Sequence, residues 1–90
     1  MSYVQLKPSQ YVDIAASALV KSGHGVLVGM YVNSTSGGTI KYWDNTTATA
    51  PVINNTITPA IGYQSLGNAE FINGLYATIT GTLDVTLYFQ

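Results

Sequence analysis

The side chains able to do acid–base or metal chemistry are few: one histidine, His24, and four carboxylates, Asp13, Asp44, Glu70 and Asp84, with no cysteine. General acid–base catalysis needs a titratable group held beside a partner. Here the carboxylates are dispersed along the chain, and His24 lies between Gly23 and Gly25 in a segment that reads as a turn. His24 is therefore expected to be an exposed or packing residue. Asp44 reads as a turn residue, and Asp84 as a solubilising or edge-protecting charge on a solvent face. No pair of His, Asp or Glu shows a metal-ligand spacing, and Asp44-Asn45 lacks the further acidic positions of a calcium loop. Gly37-Gly38 is not followed by a helix start carrying a lysine, as a phosphate cradle requires. The expectation is a chain that is not an enzyme, with no catalytic, cofactor-binding or metal-binding residues.

Aromatic side chains are the other resource. Trp43 and seven tyrosines could display a stacking platform for sugar rings. The same residues are common in strands and at protein interfaces, where an amphipathic ring contributes contact area at small entropic cost, and interface or core packing is the favoured reading of Trp43. Asn33-Ser34-Thr35, Asn45-Thr46-Thr47 and Asn54-Asn55-Thr56 match the glycosylation pattern but read as Asn/Thr-rich loops.

Charge and length narrow the classes further. Ninety residues make one domain, 1–90, and a domain of that size has a thin stability margin. Without cysteines, packing and association must supply the rest. Lys7, Lys21 and Lys41 are the only basic side chains that are always charged, arginine is absent, and the net charge is -1. Nucleic-acid binding needs clustered Lys and Arg, so it is set aside. The start of the chain lacks a basic stretch followed by an apolar core, and the run Ile14 to Val20 is too short to span a bilayer. A soluble chain with no membrane contact is expected.

These groups would be positioned by strands. Leu75, Ala77 and Ile79 alternate with Tyr76, Thr78 and Thr80, and Leu83, Val85, Leu87 and Phe89 alternate with Asp84, Thr86 and Tyr88. Period two means strands, with the aliphatic face inward. Gly81 between them predicts a hairpin turn with positive φ. Asn73-Gly74 either joins Glu70-Phe71-Ile72 to the Leu75 strand, making three consecutive antiparallel strands from Glu70 to Gln90, or is a bulge in one longer strand. Gly25 to Asn33 predicts another strand, with Val26, Val28, Met30 and Val32 on one face and Leu27, Gly29 and Tyr31 on the other. Asn33 to Gly38 has loop composition, and Thr39 to Trp43 returns as a strand closed by Asp44 to Thr47. Pro51 and Pro59 bracket an edge strand, Val52 to Thr58. Tyr3 to Leu6 and Tyr11 to Ile14 are β-prone, and Asp13 to Lys21 reads as strand or irregular in preference to an uncapped short helix. Seven or eight short strands predict an all-β fold, a small antiparallel β-sandwich or jelly roll.

Three stretches taken together resemble a known family. They are Gly25-Val26-Leu27-Val28-Gly29-Met30-Tyr31-Val32-Asn33, then Thr39-Ile40-Lys41-Tyr42-Trp43-Asp44-Asn45, then Phe71 to Thr86 with its Phe-x-Asn-Gly-Leu and Gly-Thr-x-Asp-Val-Thr signatures. They are similar to small structural proteins of tailed bacteriophages, among them the capsid decoration (cement) proteins with a jelly-roll or sandwich fold. The resemblance implies a virion protein on the capsid surface that binds the assembled head, bridges subunits of the major capsid protein and forms a homotrimer. Its candidate contact residues are Tyr3, Gln5, Lys7, Tyr11, Tyr31, Trp43, Tyr76 and Tyr88. The segment Ser2 to Gln10 is either an arm that reaches a neighbour or an ordinary first strand. The competing readings are a carbohydrate-binding or receptor-recognising module of a fibre, neck or tail, and, more remotely, an enzyme or inhibitor.

Overall fold

The computed structural model describes residues 8–90, which form six strands and no helix: β1 (Gln10–Ile14), β2 (Ala18–Ser22), β3 (Gly25–Trp43), β4 (Val52–Ile57), β5 (Gly62–Phe71) and β6 (Gly74–Phe89). All pairings are antiparallel. The two long strands, β3 and β6, pair with each other from Leu27↔Phe89 to Trp43↔Tyr76. The first half of β3 also pairs with β5 and its second half with β4. The C-terminal half of β6 pairs with β1 and its N-terminal half with β2.

A 19-residue strand laid straight would span about 60 Å at ~3.3 Å per residue. Yet Gly25, where β3 begins, pairs with Phe71, and Asp44, just past its end, accepts hydrogen bonds from the next two amides, Ile72 and Asn73. Tyr42 also donates its hydroxyl to the Met30 sulfur, 3.0 Å away and twelve residues back along the same strand. β3 therefore doubles over, and β6 bends with it. Each half forms a separate four-stranded layer: β1, β6, β3, β5 in the first sheet and β2, β6, β3, β4 in the second. Taken as eight segments in chain order, the first pairs with the eighth, the second with the seventh, the third with the sixth and the fourth with the fifth. That ribbon pairing is a jelly roll.

The corner lies where Ser36 and Gly37 both oppose Thr82, a one-residue bulge. Gly37 (φ 67°) and Gly81 (φ 79°) take left-handed conformations there, and a Cβ on Gly38 would sit 2.5 Å from the Thr82 carbonyl oxygen. The bend needs residues without side chains at these crossings. This corrects three expectations. Asn33 to Gly38 is not a loop, since Ser34 pairs with Asp84 and Thr35 with Leu83. Gly81 has the expected positive φ but marks the bend, not a hairpin turn. The stretches on either side of it, like Gly25–Asn33 and Thr39–Trp43, are successive parts of one strand in opposite sheets. A bulged corner and a hairpin turn make the same demand on the backbone, so composition alone does not separate them.

The chain turns one residue before the expected Asn73-Gly74, at Ile72-Asn73 with Gly74 opening β6, and it crosses between the layers: Phe71 pairs with Gly25 in the first sheet and Gly74 with Ser22 in the second. Glu70 to Gln90 is therefore not three consecutively paired strands. β5 starts at Gly62, well ahead of the expected Glu70. β4 lies at a sheet edge between Pro51 and Pro59, as the prolines require.

The core between the layers holds Leu27, Met30, Val32, Ile40, Tyr42, Leu66, Phe71, Leu75, Ala77, Leu83, Val85, Leu87 and Phe89. β6 keeps an unbroken period of two, so its odd-numbered aliphatics all face inward. β3 does not. Its bulge between Leu27 and Gly29 changes the parity, so Leu27 joins Met30 and Val32 in the core while Val26 and Val28 are only half-buried. The expected assignment of Val26 and Val28 to the core face fails for this reason.

Candidate functional site

The outer face of the first sheet carries a concentration of tyrosines. The inward Leu87 and Phe89 leave Tyr88 and Thr86 pointing out, and the register sets Tyr11 opposite Tyr88 and Asp13 opposite Thr86. On β3, Tyr31 is cross-strand from both Thr86 and Tyr63. A Cβ on Gly29 would collide with the Tyr63 ring, so this glycine leaves room for Tyr63 to lie across β3. There its ring meets Tyr88, with centroids 6.2 Å apart and tilted by 51°. Tyr11, Tyr31 and Tyr63 are exposed, Tyr11 at 75%.

Beside these rings lies an open cleft of about 730 Å³, lined by Tyr11, Asp13, Asn33, Asp84, Thr86 and Tyr88. Among its lining residues is Asn33, which sits at the bulge between Val32 and Ser34. The Asn33 Nδ2 donates to Asp84 Oδ1 (2.9 Å) and Thr86 Oγ1 (3.1 Å), and more weakly to Asp13 Oδ1 (3.5 Å). Two carboxylates 71 positions apart in sequence thus touch one nitrogen. Hydrogen bonding with Asp84, then burial and the like charge of Asp84, hold Asp13 above the usual carboxylate range. Hydrogen bonds from Asp13 and then Asn33 hold Asp84 below it, against a small opposing effect of burial.

Of the sequence-derived contact residues, the structure brings Tyr11, Tyr31 and Tyr88 together on this face. Trp43 and Tyr76 are cross-strand neighbours on the outer face of the second sheet, so the set divides in two. Tyr3, Gln5 and Lys7, with the arm proposed for Ser2 to Gln10 as far as Lys7, lie outside the described residues. Trp43 is tied down: its indole N–H donates to Thr78 Oγ1 at 3.2 Å, and the Lys41 ammonium lies 4.3 Å from the ring centroid. One ring face is already occupied, which suits packing better than sugar stacking.

Sequence reasoning missed Asp13, Asn33, Thr86 and Tyr63. The spacing Tyr11/Asp13 and Asp84/Thr86/Tyr88 places each set on one strand face, which is legible. That β1 docks on the far end of β6 is not. Asp84 is outward-facing as expected; at its position β6 pairs with Ser34 of β3, while the register with β1 ends at Val85.

The other titratable groups have structural work. The Asp44 carboxylate accepts from the amides of Ile72 (2.9 Å), Asn73 (2.8 Å) and Gly74 (3.4 Å), pinning the inter-sheet turn to the end of β3. Burial is the largest single influence and pushes its pKa up, but these three amides and the nearby His24 together hold it below the usual range. His24 Nε2 lies 2.6 Å from Glu70 Oε2, an exposed pair that ties the β2–β3 turn to β5. Among the described residues His24 has no hydrogen bond to a hydroxyl, and no three His, Asp or Glu side chains converge as a metal site.

No protein-family model, no curated protein and no solved structure matches this chain.

Proposed function

We propose that this chain is a virion structural protein of a tailed bacteriophage, a capsid decoration protein that docks on the assembled head and stabilises it by bridging subunits of the major capsid protein. The observation that carries this reading is the tyrosine-bearing outer face of the first sheet. Four tyrosines from four different strands stand on a rigid two-layer body in a chain of which only 8% is charged. Such a face can cover a partner while few charges are desolvated, and its rings lose little rotamer freedom on contact. Its resemblance to phage structural proteins points to the head as that partner. Binding the assembled shell and not its free subunits raises the shell's stability by mass action. A trimer at a threefold point of the lattice would set three such faces on neighbouring subunits.

Size-exclusion chromatography with light scattering, followed by co-sedimentation with emptied capsids and a thermal shift of the capsid itself, tests the reading. A trimer that pellets with capsids and raises their melting temperature is expected. A monomer that stays in the supernatant and leaves that temperature unchanged refutes it.

A further inference from the structure

The tyrosine face includes one place whose chemistry selects a partner group. In the cleft, the amide protons of Asn33 are already engaged by Asp84, Thr86 and Asp13. The same cleft is lined by the Asp13 and Asp84 carboxylates, whose ionised oxygens only accept hydrogen bonds, with the Tyr11 and Tyr88 side chains beside them. A ligand that fits must donate several hydrogen bonds and accept few. It must also relieve the repulsion between two carboxylates that touch the same nitrogen, which a neutral sugar does not do. A planar guanidinium offers five donors in a fork matched to carboxylates, and it stacks on aromatic faces. An ammonium offers a point charge without that plane.

We propose that this cleft receives the guanidinium of an arginine presented by a different protein, held between the Asp13 and Asp84 carboxylates and flanked by the Tyr11 and Tyr88 rings. A different protein is required because this chain has no arginine of its own. The proposal deepens the docking reading of this face, and it rests on the face being a contact surface, whether or not the partner is a capsid.

The test is a titration of the ¹⁵N-labelled full chain with N-acetyl-arginine amide, followed by amide chemical shifts. Parallel arms use N-acetyl-citrulline amide, which has nearly the same shape without the charge, N-acetyl-lysine amide, and galactose. The expected result is saturable shifts at Tyr11, Asp13, Asn33, Asp84, Thr86 and Tyr88 with the arginine probe. Citrulline should bind at least about fivefold more weakly, in line with loss of an exposed charge pair. The double variant Asp13→Asn/Asp84→Asn, whose spectrum reports directly that it is folded, should lose the saturable shifts. Three results overturn the proposal: no saturation with arginine, citrulline or lysine binding as tightly as arginine, or saturation with galactose alone. Saturation by arginine in a protein that ignores capsids would sink the decoration reading and leave the cleft assignment standing.

Discussion

Replacing Gly81 with alanine tests the bent-strand architecture at its corner. Gly81 has φ 79°, and a Cβ there would stand 3.0 Å from the Gly37 carbonyl oxygen and 3.2 Å from the Gly38 Cα. An L-residue in the left-handed region costs about 1–2 kcal/mol. Alanine recovers roughly 0.4–1 kcal/mol by restricting the unfolded chain. The contact with the backbone of β3 adds to the cost, because neither strand can withdraw without opening the corner. The net expectation is a loss of about 1–1.5 kcal/mol. Unfolding entropy near 2.1 cal/mol/K per residue gives about 0.19 kcal/mol/K for this chain, so the melting temperature should fall by roughly 5–8 °C. Thermal unfolding followed by far-ultraviolet circular dichroism and by Trp43 fluorescence measures this, with Gly81→Asn as the comparison. Asparagine tolerates the left-handed region better than alanine, so it should lose less. A Gly81→Ala variant within about 2 °C of the parent, or an asparagine variant worse than alanine, refutes a corner that depends on positive φ.

Other perturbations test other parts of the fold. Tyr42→Phe removes a hydroxyl whose partner is the weakly accepting Met30 sulfur, so stability should change by no more than about 0.5 kcal/mol, whereas Tyr42→Ala should cost about 3–5 kcal/mol in urea unfolding. Burial pushes the Tyr42 hydroxyl pKa well above that of a free tyrosine, so spectrophotometric titration should show it ionising last, together with unfolding. Asp44→Ala leaves the Ile72, Asn73 and Gly74 amides without their shared acceptor and should cost about 1–2 kcal/mol. The native pKa of Asp44 is depressed, so its contribution is present above the unfolded value near 3.8 and is lost as pH falls through the native value. Melting temperature against pH should therefore drop less steeply in acid for Asp44→Asn than for the parent. Gly25→Ala would set a methyl group 2.5 Å from the Phe71 ring and against the Gln90 carbonyl, and overpacking of that kind should cost about 1–3 kcal/mol in the same assay.

The sequence by itself determined the class and most of the local grammar. The alternation in 75–89 fixed the inward face of β6, the prolines placed β4 at an edge, and the glycines marked where the backbone leaves regular geometry. These signals are local, because side-chain direction alternates with every residue and φ is a property of one residue. The tertiary structure alone decided that β3 and β6 run through the corner instead of turning back at it. It also decided that single-residue bulges reverse the face of β3, and that Asp13, Asn33 and Asp84 meet in one cleft. Those outcomes depend on which strands pair across the length of the chain. Pairing is settled by the joint burial of both sheet faces, a sum over the whole fold that no short window of residues contains.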